Sequence, residues 1–245
     1  MKIHYRELRR KIKLSQKYVM DSFLKDHKIS LCFFCGCKSE LTKEHVLPQW
    51  VFEKRTDKFF SATINDIPQN YMQATIPACS RCNNVLLSSV EDNVISILEN
   101  VSPEYYTDDQ KSLLIWWLEL IGFKLQVLDL RRKFLKPKEG PFIPYLANIP
   151  LGIMRGGAVE TPYQILLGVR QARRKLIKMR KINEHNSLVI FNTSNPDMHF
   201  FHKSGKLIFL ELPKYGVAFF YFYTEKFSTP QKAHDNAMDI IKRVY

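Results

Sequence analysis

The sequence predicts an α+β protein: a small N-terminal module stapled by metal, followed by a mixed region of helices and antiparallel strands. Three observations lead there. Four of the five cysteines fall into two short-spaced pairs, Cys32/Cys35 and Cys79/Cys82. A long apolar run after Thr107 has the length and the capping residues of a buried helix. Between Leu188 and Tyr223, four strand-like runs succeed one another before a final helix. The implied organisation is a basic helix over 1–27, a metal-stapled module over 28–100, and an α+β region over 101–245.

The elements can be justified in order. Tyr5 to His27 reads as a helix, with Leu8, Ile12, Val19 and Phe23 on one stripe and Arg6, Arg9, Arg10, Lys11, Lys13 and Lys17 on the other faces. From Ile29 to Cys82 the pattern is short and irregular, divided by Pro48, Pro68 and Pro77. A helix begins near Asn83–Asn84 and continues through Leu87, Val90, Val94 and Leu98. Thr107-Asp108-Asp109-Gln110 is a capping box, in which Gln110 can reach back to Thr107, and it opens a helix to about Leu130. Lys136 to Pro162 is rich in proline and glycine and reads as loops and short extended pieces. Thr161-Pro162 then starts a helix whose apolar stripe is Ile165, Val169, Ala172, Leu176 and Met179. Strands are predicted at Leu188–Thr193, Met198–Lys203, Leu207–Leu212 and Val217–Tyr223, with a turn at Lys214-Tyr215-Gly216. Thr229-Pro230 caps the last helix.

Lysine and arginine number 37 against 24 acidic residues, a formal net charge of +13. That excess biases partners towards polyanions, either nucleic acid or an anionic membrane surface. The longest apolar stretch, Leu113 to Leu130, is broken by Glu119, Lys124 and Asp129, so no membrane span is expected and nucleic acid is the favoured partner. Arg170, Arg174, Lys178 and Lys181 lie opposite an apolar stripe in a helix free of acidic residues. A solvated charged face is the ordinary reading of such a stripe. In so basic a chain, together with Arg131-Arg132-Lys133 and the N-terminal helix, it reads as a phosphate-contacting surface that gives affinity and salt dependence but no sequence preference.

No apolar core follows Met1-Lys2-Ile3-His4-Tyr5, so no secretory signal is visible and a cytoplasmic location is expected. In that compartment paired cysteines read as metal ligands and not as disulfides. Cys32-Phe33-Phe34-Cys35-Gly36 is a zinc-knuckle pattern: two thiolates two residues apart can reach one tetrahedral ion, and the glycine suits the tight turn after them. Cys79-Ser80-Arg81-Cys82 supplies the second pair. Together they offer the four sulfurs of a closed structural zinc site, with Cys37 left as an unligated thiol. The gap between the pairs is longer than a zinc ribbon needs, so something is inserted there.

The insertion contains Glu44-His45 and Pro48, the second pair runs directly into Asn83-Asn84, and Glu91 lies about two helical turns later. In this order the residues resemble the four-cysteine HNH (ββα-metal) endonucleases over about Leu31 to Asn93. The resemblance implies a ββα-metal nuclease module over 28–100 that hydrolyses phosphodiester bonds in DNA. It assigns His45 as general base, Asn83 as the residue that orients its ring, and Glu44 and Glu91 as ligands of a catalytic Mg²⁺ or Mn²⁺ ion. Roles in restriction or phage defence are common among such proteins. Glu91 departs from the commoner histidine of the family, and Asp92 is its competitor; on a helix the two point about 100° apart, so only one can face the site.

Each residue also has a bland reading. A lone Glu-His pair is usually an ordinary solvated dipeptide, Asn83 could simply cap a helix, and Glu91 could be a solvated helix residue. His199 and His202 sit three apart in a predicted strand and therefore point to opposite faces, so they are not expected to share a metal. The aromatics Phe219 to Tyr223 read as a buried strand in preference to a base-stacking surface. Two alternatives to a DNA nuclease stay open: a non-catalytic zinc-binding module that binds nucleic acid, and an RNA-cleaving HNH nuclease. Residues 101–245 could mediate a homodimer or hold a partner protein.

Overall fold

A computed structural model of the protein describes residues 31–52, 59–62, 67–131, 185–203 and 205–245, with 59–62, 67–69 and 129–131 described as backbone only. The predicted helices over 5–27 and 161–181, including Arg170, Arg174, Lys178 and Lys181, and the loops over 136–162 lie outside the described residues. The architecture is a mixture of helices and antiparallel sheet.

Strand β1 (Leu41–His45) pairs antiparallel with β4 (Thr75–Cys79), so that Leu41 faces Cys79 and His45 faces Thr75. The excursion between them holds one helical turn, α1 (Gln49–Phe52), and a second antiparallel ladder of β2 (Phe59–Ala62) with β3 (Ile67–Asn70). This is the insertion that the long cysteine gap required. After β4 the chain enters a widened turn, Cys82–Leu87, in which the Ser88 N–H reaches back to the Asn83 carbonyl. Helix α2 (Ser88–Asn100) follows and buries Val90, Val94, Ile97 and Leu98, a single stripe at helical spacing.

Helix α3 (Asp108–Arg131) starts as its capping box predicts. Gln110 Oε1 accepts from the Thr107 N–H at 2.8 Å, and the Gln110 N–H donates to Thr107 Oγ1 at 3.3 Å. From Leu114 to Leu128 every described residue is buried, polar ones included. A helix apolar all round must be covered all round, and α3 is: the hairpin and α2 pack on one side, the C-terminal sheet on the other.

That sheet contains β5 (Leu188–Asn192), β6 (Phe200–Lys203), β7 (Leu207–Leu212) and β8 (Val217–Phe222), in the order β5-β8-β7-β6 and antiparallel throughout. The predicted strands all form. β6 begins two residues later than expected, after the His199 side chain turns to Glu211. The central strand β8 reads as an unbroken apolar run, and β7 as one broken only by Glu211, because both faces are covered. Ile208, Leu210, Leu212, Val217, Phe219 and Tyr221 join the core around α3, whereas Leu207, Phe209, Ala218, Phe220 and Phe222 pack with Ala233 and Ala237 of α4 (Pro230–Val244). Helix α4 is capped by Thr229, whose side chain accepts from the Lys232 N–H.

One contiguous core runs from Leu31 to Tyr221 and joins the two regions. Trp50 of α1 stacks on Trp117 of α3 at 5.5 Å, Phe34 meets Phe123 edge-on at 5.8 Å, and Tyr71 meets Phe200 at 6.4 Å. Gly122 allows α3 to approach the sheet: a Cβ there would lie 2.5 Å from the hydroxyl of Tyr223, which donates to the Leu118 carbonyl at 3.1 Å. Among the described residues no helix is long and apolar enough to cross a membrane.

Candidate functional site

The cysteine pairs are brought together by the β1–β4 hairpin. Cys32 to Cys37 form a tight loop in which the Cys32 N–H donates to the Cys37 carbonyl at 2.8 Å and the Gly36 N–H to the Cys32 carbonyl at 2.7 Å. Gly36 takes φ of 80°, a left-handed conformation that a side chain would oppose. The Phe33 N–H donates to the Pro77 carbonyl at 3.2 Å, which ties the loop to β4. Cys79 closes β4, and Cys82 opens the turn behind it.

The sulfurs of Cys32, Cys35, Cys79 and Cys82 all lie within 4.8 Å of one another, close enough to hold one metal ion such as zinc. Zn–S bonds of about 2.3 Å in a tetrahedron put neighbouring sulfurs about 3.8 Å apart, and Cys35 Sγ and Cys79 Sγ are 3.6 Å apart. The donor set fits. Three of the four thiols are buried and Cys35 is half-buried. Crowded together, they cannot all ionise alone. Hydrogen bonding from Cys32 drives the Cys35 thiol far down, while bonding to Cys35 leads the effects that push Cys32 up to about 11, and bonding to Cys32 leads those that push Cys82 higher still. A divalent cation removes that conflict by taking the place of the shared protons. Cys37 stays outside the set: its sulfur donates to the Ser39 carbonyl at 3.7 Å, and burial together with its neighbours Cys35 and Cys79 pushes it up to about 12.

The second cluster lies on the α3 side of the hairpin. Glu44 of β1 is 6% exposed, and its carboxylate makes a short contact with the ammonium of Lys124 from the middle of α3. Glu91, in the first turn of α2, reaches the same ammonium at 3.7 Å. The His45 carbonyl accepts a third contact from it at 3.2 Å. Lys124 itself has no exposed surface. Burial pushes Glu91 up to about 7, with Lys124 opposing and Glu44 adding to the rise. Burial would lower Lys124, but Glu44 and then Glu91 outweigh it and hold the ammonium above the ordinary lysine value. Asp92 is exposed, so of the two candidates Glu91 faces the cluster.

Glu44 and Glu91 are thus brought together, and what they converge on is Lys124. Sequence reasoning noted Lys124 merely as a break in an apolar run. The signal was there: a lysine inside a helix buried on every side needs a carboxylate partner.

His45 closes β1. Its ring is half-buried, 6.2 Å from the Phe52 ring, with Nε2 3.5 Å from Gln49 Nε2. Burial holds its pKa below the ordinary histidine value; Glu44 and the Met72 carbonyl oppose that shift and Lys124 adds to it. The side-chain amide of Asn83 donates to Thr42 Oγ1 at 2.9 Å and to the Lys43 carbonyl at 3.5 Å. Asn83 therefore braces the β1 backbone that leads into His45, and the ring's own neighbours are Gln49, Phe52 and Met72. Elsewhere, His199 Nδ1 lies 2.7 Å from Glu211 Oε2, a carboxylate that also accepts from Thr193. This pairing of a loop residue with a strand residue carried no sequence signal. Comparisons with protein-family models, curated proteins and solved structures find no match to this chain.

Proposed function

We propose that this chain is an HNH-type nuclease that hydrolyses phosphodiester bonds in DNA, with His45 as general base and zinc held by Cys32, Cys35, Cys79 and Cys82. The observation that carries this reading is the imidazole at the end of β1. It sits in a hairpin-and-helix unit closed by four cysteines, half-buried and with a lowered pKa. A histidine below its ordinary value is a free base at neutral pH, suited to take a proton from water. In this role Nε2, beside Gln49, receives the proton as the water oxygen attacks phosphorus, the bond to the 3′ oxygen breaks and that oxygen leaves with a proton from solvent. The Met72 carbonyl favours the protonated ring that results, and Asn83 keeps β1 in place. Zinc is structural here, fixing the hairpin against the start of the helix. The net charge of +13 suits a polyanionic substrate, with Arg170, Arg174, Lys178 and Lys181 as the proposed phosphate contacts. Restriction or phage defence is the setting that the resemblance suggests.

A second reading has its own support. A lysine between the two acidic residues of an HNH pattern is what a scaffold retained for nucleic-acid binding alone could carry. One experiment addresses both readings. Zinc-loaded protein and its His45→Ala variant are incubated with plasmid DNA, single-stranded RNA and tRNA, with Mg²⁺, with Mn²⁺ and with neither. The nuclease reading expects plasmid nicking that falls by about 100-fold or more in His45→Ala. It also expects an acid limb whose midpoint lies below the ordinary histidine value. Undiminished nicking by His45→Ala removes His45 as the base. Cleavage of RNA alone moves the substrate from DNA to RNA, and binding without any cleavage establishes the second reading.

A further inference from the structure

We infer that Lys124 is the resident cation of the Glu44–Glu91 pair, and that Mg²⁺ or Mn²⁺ can bind these carboxylates only by displacing its ammonium. The contacts are those of a filled cation site. One Nζ faces Glu44 Oε1, Glu91 Oε1 and the His45 carbonyl oxygen, three acceptors for the three N–H bonds of an ammonium. The acceptors come from β1 and from the start of α2, and the cation comes from α3.

Charge makes the two occupants exclusive. Above about pH 7, with both carboxylates ionised, they and the ammonium leave a local charge of −1. A divalent ion added beside the ammonium would bring it to +1, with two cations a few ångströms apart among side chains that are 1%, 8% and 19% exposed. Repulsion at that separation is strong in so dry a place. Nor can the ammonium swing into water cheaply: Leu120, Ile121, Phe123, Leu125, Val127 and Leu128 around it on α3 are all buried. The carboxylates are hard oxygen donors of the kind Mg²⁺ and Mn²⁺ favour, so what sets their affinity is the lysine already there.

The inference concerns occupancy of the carboxylate pair, and it is read by binding. Its failure therefore leaves the nuclease reading standing, and a failed cleavage assay leaves the inference standing. The test uses the full-length, zinc-loaded protein in buffer freed of other divalent ions. Mn²⁺ binding is followed by electron paramagnetic resonance and by the shift in melting temperature, in the wild type, Lys124→Met, Glu91→Gln and Lys124→Met/Glu91→Gln. Lys124→Met should bind Mn²⁺ at least about tenfold more tightly than wild type, since removing the ammonium leaves two unpaired carboxylates. Its melting temperature should rise with Mn²⁺, and Glu91→Gln on top of it should abolish the gain. Should Lys124→Met fold only when Mn²⁺ is present, the same conclusion follows. A folded Lys124→Met with wild-type Mn²⁺ affinity overturns the inference. If Lys124→Met does not fold under either condition, the wild type decides: no melting shift with Mn²⁺ at millimolar concentration supports a site already filled. A clear wild-type shift already at micromolar Mn²⁺ that Glu91→Gln removes would refute it, because the ammonium would then offer no competition.

Discussion

The two polar clusters of this protein solve the same electrostatic problem in different ways. At the cysteine cluster, four thiols within 4.8 Å of one another call for a cation from solution. At the carboxylate cluster, Glu44 and Glu91 receive their cation from the chain itself, through Lys124. The first set of donors comes from the Cys32–Cys37 loop and from the end of β4 with the turn behind it, close enough to hold one ion. The second is assembled from three elements and depends on the packing of α3. The comparison teaches that donor type alone does not identify a metal site: what matters is whether the fold has already supplied a counter-charge.

The largest effect is expected at the cysteines. Cys79→Ser should lose the bound zinc and unfold the hairpin module, because structural zinc sites contribute about 10 kcal/mol or more to folding. Metal content by mass spectrometry and secondary structure by circular dichroism measure both. A folded, metal-free variant would show that the cluster holds together without a cation and would erase the contrast.

A smaller, pH-dependent effect is expected at the carboxylates. Glu91 has its folded pKa raised to about 7, by burial above all. An acid whose folded pKa is raised binds its proton more tightly in the folded state. The stability this contributes is complete below the unfolded value, near the ordinary glutamate range, and is lost as pH rises through about 7. Glu91→Gln cannot ionise, so its stability relative to wild type should grow by about 2 kcal/mol between pH 5 and pH 8. Urea denaturation of both proteins at the two pH values checks this, and the difference cancels the titration of the thiols common to both. A constant difference would mean that Lys124 keeps Glu91 ionised throughout.

The smallest effect probes the link between the clusters. Asn83 follows the cysteine Cys82 and donates to Thr42 on the strand that carries Glu44. Thr42→Val removes this bond and the one that Thr42 Oγ1 donates to the Ala78 carbonyl at 2.9 Å, so it should cost about 1 to 2 kcal/mol, while zinc content stays unchanged. Loss of zinc in this variant would show that the two clusters are mechanically coupled.

The legibility of the site follows the same division. The cysteine ligands were readable because each pair lies within four residues and thiol chemistry is rare enough to be recognised. The capping box at Thr107 and the caps at Thr229-Pro230 were readable because a cap is a local bond between a side chain and a backbone amide a few residues away. The strands from Leu188 to Phe222 were readable as apolar runs, but their order was not: β5 lies beside β8 because of long-range pairing, which leaves no local trace. Glu44 and Glu91 were singled out together, yet only as ligands of an ion, since nothing near them in the chain announces Lys124.

By itself, then, the sequence determined the α+β class, the four-cysteine set, the starts of α3 and α4 and the burial of α3, all of which rest on spacing, capping and hydrophobic periodicity within short windows. The tertiary structure decided the rest: the shared core of Trp50 with Trp117, the bracing of β1 by Asn83, and the ammonium of Lys124 between two carboxylates. The physical reason is the same in each case. A buried charge is tolerated only where its partners converge, and Lys124 lies 80 residues from Glu44 along the chain, so that convergence exists only once the helix has packed.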